Sequence, residues 1–223
     1  MPTAKNALSP FFAACLLCAP LGALADEQKE DGHKPLIPLL FGGKLSLGAG
    51  LGAAHHGGLV QDNDDGSLSA IKTDKTSIPK KLFVSYEPWD TVGFQLGYTD
   101  LGKDSFTATS AGGSSWLAGP VATSHEADGW ELTLYKRIPV SERYTLLLRI
   151  GAFFWESEQT YTDSGGTYPV DRKTGSSLTY GLGFEYDIGV KNRFFWRGEL
   201  QRYTVWDGDL TANAASINLG YRF

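Results

Sequence analysis

Cysteine is nearly missing from this chain: the two present, Cys15 and Cys18, both lie in the stretch "MPTAKNALSPFFAACLLCAPLGALA". That stretch has one lysine near its start, an apolar body and the small-residue pattern Ala23-Leu24-Ala25 before Asp26. These are the parts of a secretory signal peptide, with cleavage expected after Ala25. Pro10 and Pro20 interrupt the apolar body, which weighs against a membrane-spanning helix. Leu17 precedes Cys18 where a lipoprotein signal needs a small residue, so no lipid anchor is expected. Cleavage removes both cysteines and leaves no disulfide and no thiolate chemistry. Basic charge is also scarce. The chain has 20 Lys and Arg against 25 Asp and Glu, and losing Lys5 leaves 19 against 25, a net of −6. An acidic exported chain is a poor nucleic-acid binder, and none is expected as a partner. Long apolar runs are missing too. The longest after the signal, "PLIPLLF" at Pro35 to Phe41, is short and holds two prolines, so no membrane helix is expected. A chain of this kind crosses a membrane only as a closed β-barrel, because lipid cannot satisfy open strand edges.

Alternation of apolar and polar residues is abundant. Eight segments show it: about Lys44–His55, Lys81–Glu87, Thr91–Leu101, Gly129–Arg137, Tyr144–Glu156, Leu178–Asp187, Arg193–Trp206 and Ala212–Phe223. In the third, Val92, Phe94, Leu96 and Tyr98 face one way and Gly93, Gln95, Gly97 and Thr99 the other, the period of a half-buried strand. The connections alternate as well. The first, third and fifth are long and rich in Gly, Ser, Thr and Asp, the seventh ("DGDL") is short, and "PWD", "IPVSE" and "IGVKN" are tight turns. Long loops on one side and short turns on the other are the mark of outer-membrane barrels. The fold expected is all-β, an eight-stranded antiparallel up-and-down transmembrane β-barrel over residues 44–223. Residues 26–43 would form a periplasmic N-terminal segment, with "PLIPLLF" capping the turn end.

Outward aromatics sort into two rings. Tyr98, Trp130, Phe154, Tyr180 and Trp206 fall near the loop ends, and Tyr86, Tyr144, Tyr186, Trp196, Tyr221 and Phe223 near the turn ends. Such girdles form because an aromatic body with a polar tip sits well at the headgroup level. The inward set is polar: Glu131, Glu185, Glu199, Arg149 and Arg197, with Gln95, Gln201, Thr133 and Tyr135 between them and glycines making room. Buried charges must pair, so both arginines are expected to meet the three glutamates. A lumen of eight strands is wide enough only for its own side chains, which favours a filled core over a gated pore.

"VGFQLGYTDLG", "GLGFEYDI", "WRGELQRY" and the ending "GYRF" together resemble the transmembrane domain of the OmpA family, in order and over nearly the whole chain after the signal. The smaller OmpX/Ail-type barrels share the architecture and the ending. The resemblance implies a non-catalytic Gram-negative outer-membrane protein that serves envelope integrity and adhesion-type contact through its loops, with outer-membrane lipid, lipopolysaccharide and host or cell surfaces as partners and no cofactor. The terminal Phe223, with Tyr221, Leu219 and Ile217 at alternate places before it, resembles the signal read by the barrel-assembly machinery. The family's proposed ion-pair gate uses a Glu and a Lys where this chain has Gln95 and Tyr135; only Arg197 and Glu185 match. The peptidoglycan-binding domain that follows the barrel in OmpA is not expected here, since the sequence ends at Phe223.

Two other functions deserve weight. A narrow pore could run through the charges around Arg149, Glu185 and Arg197. A lipid-modifying enzyme could use His125, but "SHEAD" puts Ser124, His125 and Glu126 in sequence, where they point in different directions, and a nucleophile needs its base within hydrogen-bond reach. His55 and His56 would face opposite sides of a strand and so would not chelate together. Asp62, Asp64 and Asp65 fall short of a calcium loop, because the closing Glu is missing. No metal is expected. Arg202 faces outward near the loop end, where a long cationic side chain can reach a lipopolysaccharide phosphate.

Overall fold

A computed structural model describes residues 43–57, 67–113, 116–189, 193–205 and 210–223. Ten strands follow one another: β1 (Lys44–Gly57), β2 (Leu68–Asp74), β3 (Thr76–Ser77), β4 (Lys80–Trp89), β5 (Val92–Ser110), β6 (Gly119–Pro139), β7 (Tyr144–Asp163), β8 (Gly166–Ile188), β9 (Phe194–Val205) and β10 (Leu210–Arg222). Eight of them form a closed antiparallel ring in the order β1-β4-β5-β6-β7-β8-β9-β10, and β10 returns to β1 with Ser46 opposite Arg222 and Gly57 opposite Thr211. The amide of Phe223 donates to the carbonyl of Leu45 at 2.9 Å, so the last residue is tied into the closure. The ring has no edge to expose to lipid.

Alternation holds around the ring. Leu51, Leu200, Ile217 and Leu219 point outward at 59–70% exposure, and Tyr135, Leu147, Phe153, Phe195, Glu131 and Arg197 point inward at 0%. So many large apolar side chains left bare in one band require a lipid surround. Inside, two glycines create the space for rings. A Cβ on Gly93 would collide with Tyr135, and one on Gly220 with Phe195.

The connections correct the expectation from sequence. The third and fifth were expected to be loops, yet β5 and β6 run on to Ser110 and from Gly119, and β7 and β8 run on to Asp163 and from Gly166. The strands pair across that whole length, from Lys103 opposite Glu126 to Ser110 opposite Gly119, and from Ser157 opposite Lys173 to Asp163 opposite Gly166. Part of the first connection also folds, β2 pairing with β5 and β3 with β1. A bulge at Asp100/Lys103, with Gly102 at φ +77°, marks where β5 leaves the barrel and enters this extension. Val190–Asn192, "PLIPLLF", the Asp62–Asp65 stretch and Trp206 lie outside the described residues.

Candidate functional site: a packed lumen beneath an extended sheet

Strand parity delivers the five expected lumen charges to one interior. Arg149 meets Glu131 at 3.2 Å and also pairs with Glu199. Arg197 donates to Glu185 at 2.7 and 3.0 Å and lies 3.6 Å from Glu199. Five further charges complete the set: Lys81, Glu87, Arg137, Asp187 and Arg222. Lys81 bridges Glu131 and Glu199 at 3.1 Å each. Arg137 pairs with Glu87 and, at 3.0 Å, with Glu185. Arg222 reaches Glu185 at 2.6 Å and Asp187 at 2.9 Å. Five cations (Lys81, Arg137, Arg149, Arg197, Arg222) thus face five carboxylates (Glu87, Glu131, Glu185, Asp187, Glu199), and the interior is neutral. Hydrogen bonds fill the rest. Glu131 accepts from Tyr203 at 3.0 Å, from Gln201 at 2.8 Å and from Thr133. Gln95 accepts from Arg197 at 2.9 Å. Arg197 is boxed by Phe83, Tyr135 and Phe195, with ring centroids 5.0–5.5 Å from its guanidinium carbon. A planar, weakly hydrated guanidinium tolerates that box where an ammonium would not.

The additional charges lie on the inward parity of the same alternation. In "KLFVSYE", outward Leu82, Val84 and Tyr86 put Lys81 and Glu87 inside, and Tyr135 and Gly220 carry Arg137 and Arg222 inward with them. At the places where the family's gate has Glu and Lys, Gln95 and Tyr135 do face inward. Lys81, on the neighbouring strand, supplies the ammonium instead.

Towards the loop end the lumen changes character. Ala54, Leu101, Phe153, Trp155, Tyr203, Val205, Ala212 and Ala214 form one buried apolar cluster, contributed by five strands of the ring. Phe153 and Tyr203 stack edge to face at 5.0 Å. Such an apolar layer offers water few polar partners.

Above that layer His56, Asp104, His125 and Ser157 line a small cavity. Burial pushes Asp104 up to about 6 and His125 down to about 4, and lowers His56. His125 lies within β6, opposite Asp104 and Gln159. The Ser77 hydroxyl lies 2.7 Å from His56 Nε2, but it donates to the Leu101 carbonyl at 2.5 Å. Its proton is committed, so His56 is its donor rather than its base. Among the described residues, no group of three His, Cys, Asp or Glu side chains is placed to hold a metal. Higher still, Phe106, Ala108, Trp116 and Val121 form a second small core, with Leu68 and Tyr161 against it.

The expected girdle residues fall on shared ladder rows. Tyr98, Trp130 and Phe154 are consecutive across β5, β6 and β7, with Tyr98 and Trp130 at 5.4 Å. Tyr180 is 49% exposed on the outer face of β8. Tyr144, Tyr186 and Trp196 are consecutive across β7, β8 and β9 at the turn end. Tyr86 lies opposite Leu45 and Phe94 at the same end. Ile217 and Leu219 face outward on β10, Phe223 is exposed just past its end, and Tyr221 packs on Phe194 and Phe223 at 5.0 and 5.1 Å.

Comparison with known proteins agrees with this architecture. The family profile of the OmpA-like transmembrane domain matches residues 44–223. Outer membrane protein A of Salmonella typhi is 22% identical over 155 residues, covering 68% of this chain and 41% of that protein. Outer membrane protein A of Shigella flexneri is 22% identical over 155 residues, covering 68% of this chain and 42% of that protein. The chain therefore spans about two fifths of the length of these curated relatives. Among solved structures, Ail, the attachment invasion locus protein of Yersinia pestis, superposes with a TM-score of 0.50 at 16% identity, covering 81% of this chain and 99% of that one.

Proposed function

Because the chain belongs to the family of OmpA-like transmembrane domains and resides in the bacterial outer membrane, we propose that it is a non-catalytic, non-conducting barrel that strengthens the envelope and presents an extended sheet for contact outside the cell. The observation that carries this reading is the division of the molecule. The lumen is filled by a neutral ion-pair network under an apolar layer, while four strands rise well past the barrel. Transmembrane strands need about 9–11 residues, and β5 to β8 have 19 to 23. Beyond the bulge, β5 alone continues for about 25 Å of strand, at ~3.3 Å per residue. That length serves no purpose within the membrane, and the Ser- and Thr-rich surface it carries is the surface that a ligand meets. The name of the Yersinia pestis neighbour refers to attachment by that protein and lends the contact reading a precedent.

The pore alternative draws on the continuous lumen charges, but any ion would have to cross the Phe153–Tyr203 layer, which offers water few polar partners. The test of contact is adherence by cells displaying the whole chain against cells displaying a version in which 104–125 is replaced by a short turn. The reading expects adherence to fall while a heat-modifiable gel band, the mark of a folded barrel, persists. Unchanged adherence refutes the contact role.

A further inference from the structure

Opposite sides of the barrel carry unlike faces. In the ring order the pair β5–β6 and the pair β9–β10 lie half-way round from each other. Towards the loop end of β5 and β6, Asp100 stands opposite Asp128, with Glu156 next in the row on β7. Lys80 takes up Asp100 at 3.7 Å and Arg172 takes up Glu156. Asp128 accepts from the Tyr98 hydroxyl and has no ion pair among the described residues. The wall beneath it is bulky, with Leu96, Trp130 and Leu132 at 39–52% exposure. Towards the loop end of β9 and β10, Arg202 stands opposite Asn213 in a row that continues to Tyr180 and His55. That row holds no carboxylate, and Arg202 is exposed and has no ion pair among the described residues. The wall beneath it is indented. Gly198, Ala215 and Ala53 leave a depression of about 620 Å³, adjoined by one of about 910 Å³ that reaches up to Arg202.

We propose that the barrel associates side by side with further copies of itself, the Asp128 face of one against the Arg202 face of the next. The interface rests on the outer-membrane reading given above and adds a lateral partner to the contact made outside the cell. Lipid tails are as apolar as leucine, so burying apolar wall against a neighbour gains little. A partner within the membrane is selected instead by close packing and by polar groups that lipid leaves unmatched. Arg202 and Asp128 are two such groups of opposite sign. Every copy stands the same way up in the membrane, so both charges reach the contact from the loop side. Trp130 and Leu132, beneath Asp128, then face the depression beneath Arg202. Like faces do not fit. Two Arg202 faces set cation against cation, and two Asp128 faces set carboxylate against carboxylate. Unlike faces on opposite sides of one molecule make a heterologous contact, which repeats as a row instead of closing as a twofold dimer.

The test is energy transfer between donor- and acceptor-labelled copies of the whole chain, folded in phosphatidylcholine vesicles free of glycolipid. Each copy carries one dye on a peptide tag beside Glu142, in the exposed turn between β6 and β7. Wild type should show transfer above the level of random encounter, and unlabelled wild type should dilute it. Arg202→Gln should weaken association about fivefold, the upper worth of a surface ion pair. Arg202→Glu and Asp128→Arg should each weaken it by more than about tenfold, because reversal sets like charges together. Gly198→Leu, whose new side chain meets open space in the single copy, should weaken it by filling the depression. Lys44→Ala should change nothing. The deciding sample is a mixture. Arg202→Glu and Asp128→Arg, each monomeric alone, should associate with one another, since the intact Asp128 face of the first fits the intact Arg202 face of the second. Wild-type transfer at the random level overturns the proposal, as does transfer that survives Arg202→Glu or a mixture that stays monomeric. Transfer that appears only on adding a phosphorylated lipid, and is lost with Arg202→Gln, also overturns it and makes that lipid the occupant. The boiled-versus-unboiled gel shift of each variant reports the fold separately. A wild-type chain without that shift would sink the barrel itself, while a normal shift without transfer sinks only this interface.

Discussion

Glu185 is the most heavily loaded group in the lumen, and replacing it with Gln should be among the most damaging single changes available. Its carboxylate is 1% exposed and accepts from Arg197, Arg137 and Arg222 at 2.6–3.0 Å. Arg137 then keeps the Glu87 carboxylate, Arg222 keeps Asp187, and Arg197 keeps Glu199 at 3.6 Å beside the Gln95 amide oxygen at 2.9 Å. Removing one partner of a buried pair costs about 3–5 kcal/mol, because the charge left behind has lost its compensation. Glu185→Gln keeps the shape, so the loss is one of charge. With a urea slope of about 2 kcal/mol per molar, the unfolding midpoint should fall by about 2 M. The assay is urea unfolding of the barrel in lipid vesicles, followed by tryptophan fluorescence and gel mobility. Two controls frame it. Lys44→Ala breaks the exposed pair with Asp90 and should cost under ~1 kcal/mol. Glu185→Leu combined with Arg197→Met should cost less than the sum of the two single changes, since residues sharing a network are not additive. A Glu185→Gln shift as small as that of Lys44→Ala would refute the claim that the network is desolvated and interdependent.

Three further outcomes follow from the packing. Gly93→Ala should destabilise by ~1–3 kcal/mol in the same assay, because the new methyl group must displace Tyr135 and strain its 3.0 Å bond to Glu87. Phe153→Ala should cost ~3–5 kcal/mol by opening a cavity in the apolar layer, and it should raise bilayer conductance above that of wild type. Asp104→Asn should stabilise the extended sheet at pH 8 by on the order of 2 kcal/mol and have no effect near pH 3.5, as read by protection of the arms from protease. The sign follows from the upward shift. An acid held up to about 6 contributes its stability below its ordinary range and loses it as pH rises through 6. His125, held down to about 4, works the other way, contributing above the usual histidine range and losing it as pH falls through 4. Wild type should therefore be nearly flat between about 4 and 6, and Asp104→Asn should become acid-sensitive there.

The barrel ring was readable because its two environments differ so sharply. A strand between lipid and a polar lumen must alternate, and "FQLGY" or "GLGFEY" can be read no other way. The extension was harder to read because the face it buries carries small and polar residues, Asp104, Ala108, Ser110 and Thr123, beside Phe106 and Val121. "FTATSAGG" and "VATSHE" alternate only weakly, and Ser- and Thr-rich strands look like loops until their partners are known. The apolar layer was hidden for a different reason. In "GAFFWE" inward Phe153 and Trp155 flank outward Phe154, so the run reads as uniformly apolar and its inward half is lost. Lys81 was hidden by its neighbour, since "KK" places one ammonium on each face. Arg222 lies next to the last residue, where a charge is easily taken for a solvated end, yet the closure with β1 carries it inside.

A filled lumen leaves the work of this protein to its outer surfaces. Single-channel recording of the wild-type chain, folded and inserted in a planar bilayer in plain electrolyte, tests this most directly. A quiet membrane is expected, with insertion confirmed by the heat-modifiable band and no steps above leak. Steady ohmic openings from the intact wild type would contradict it, showing that the ion pairs exchange partners and the Phe153–Tyr203 layer parts to admit water.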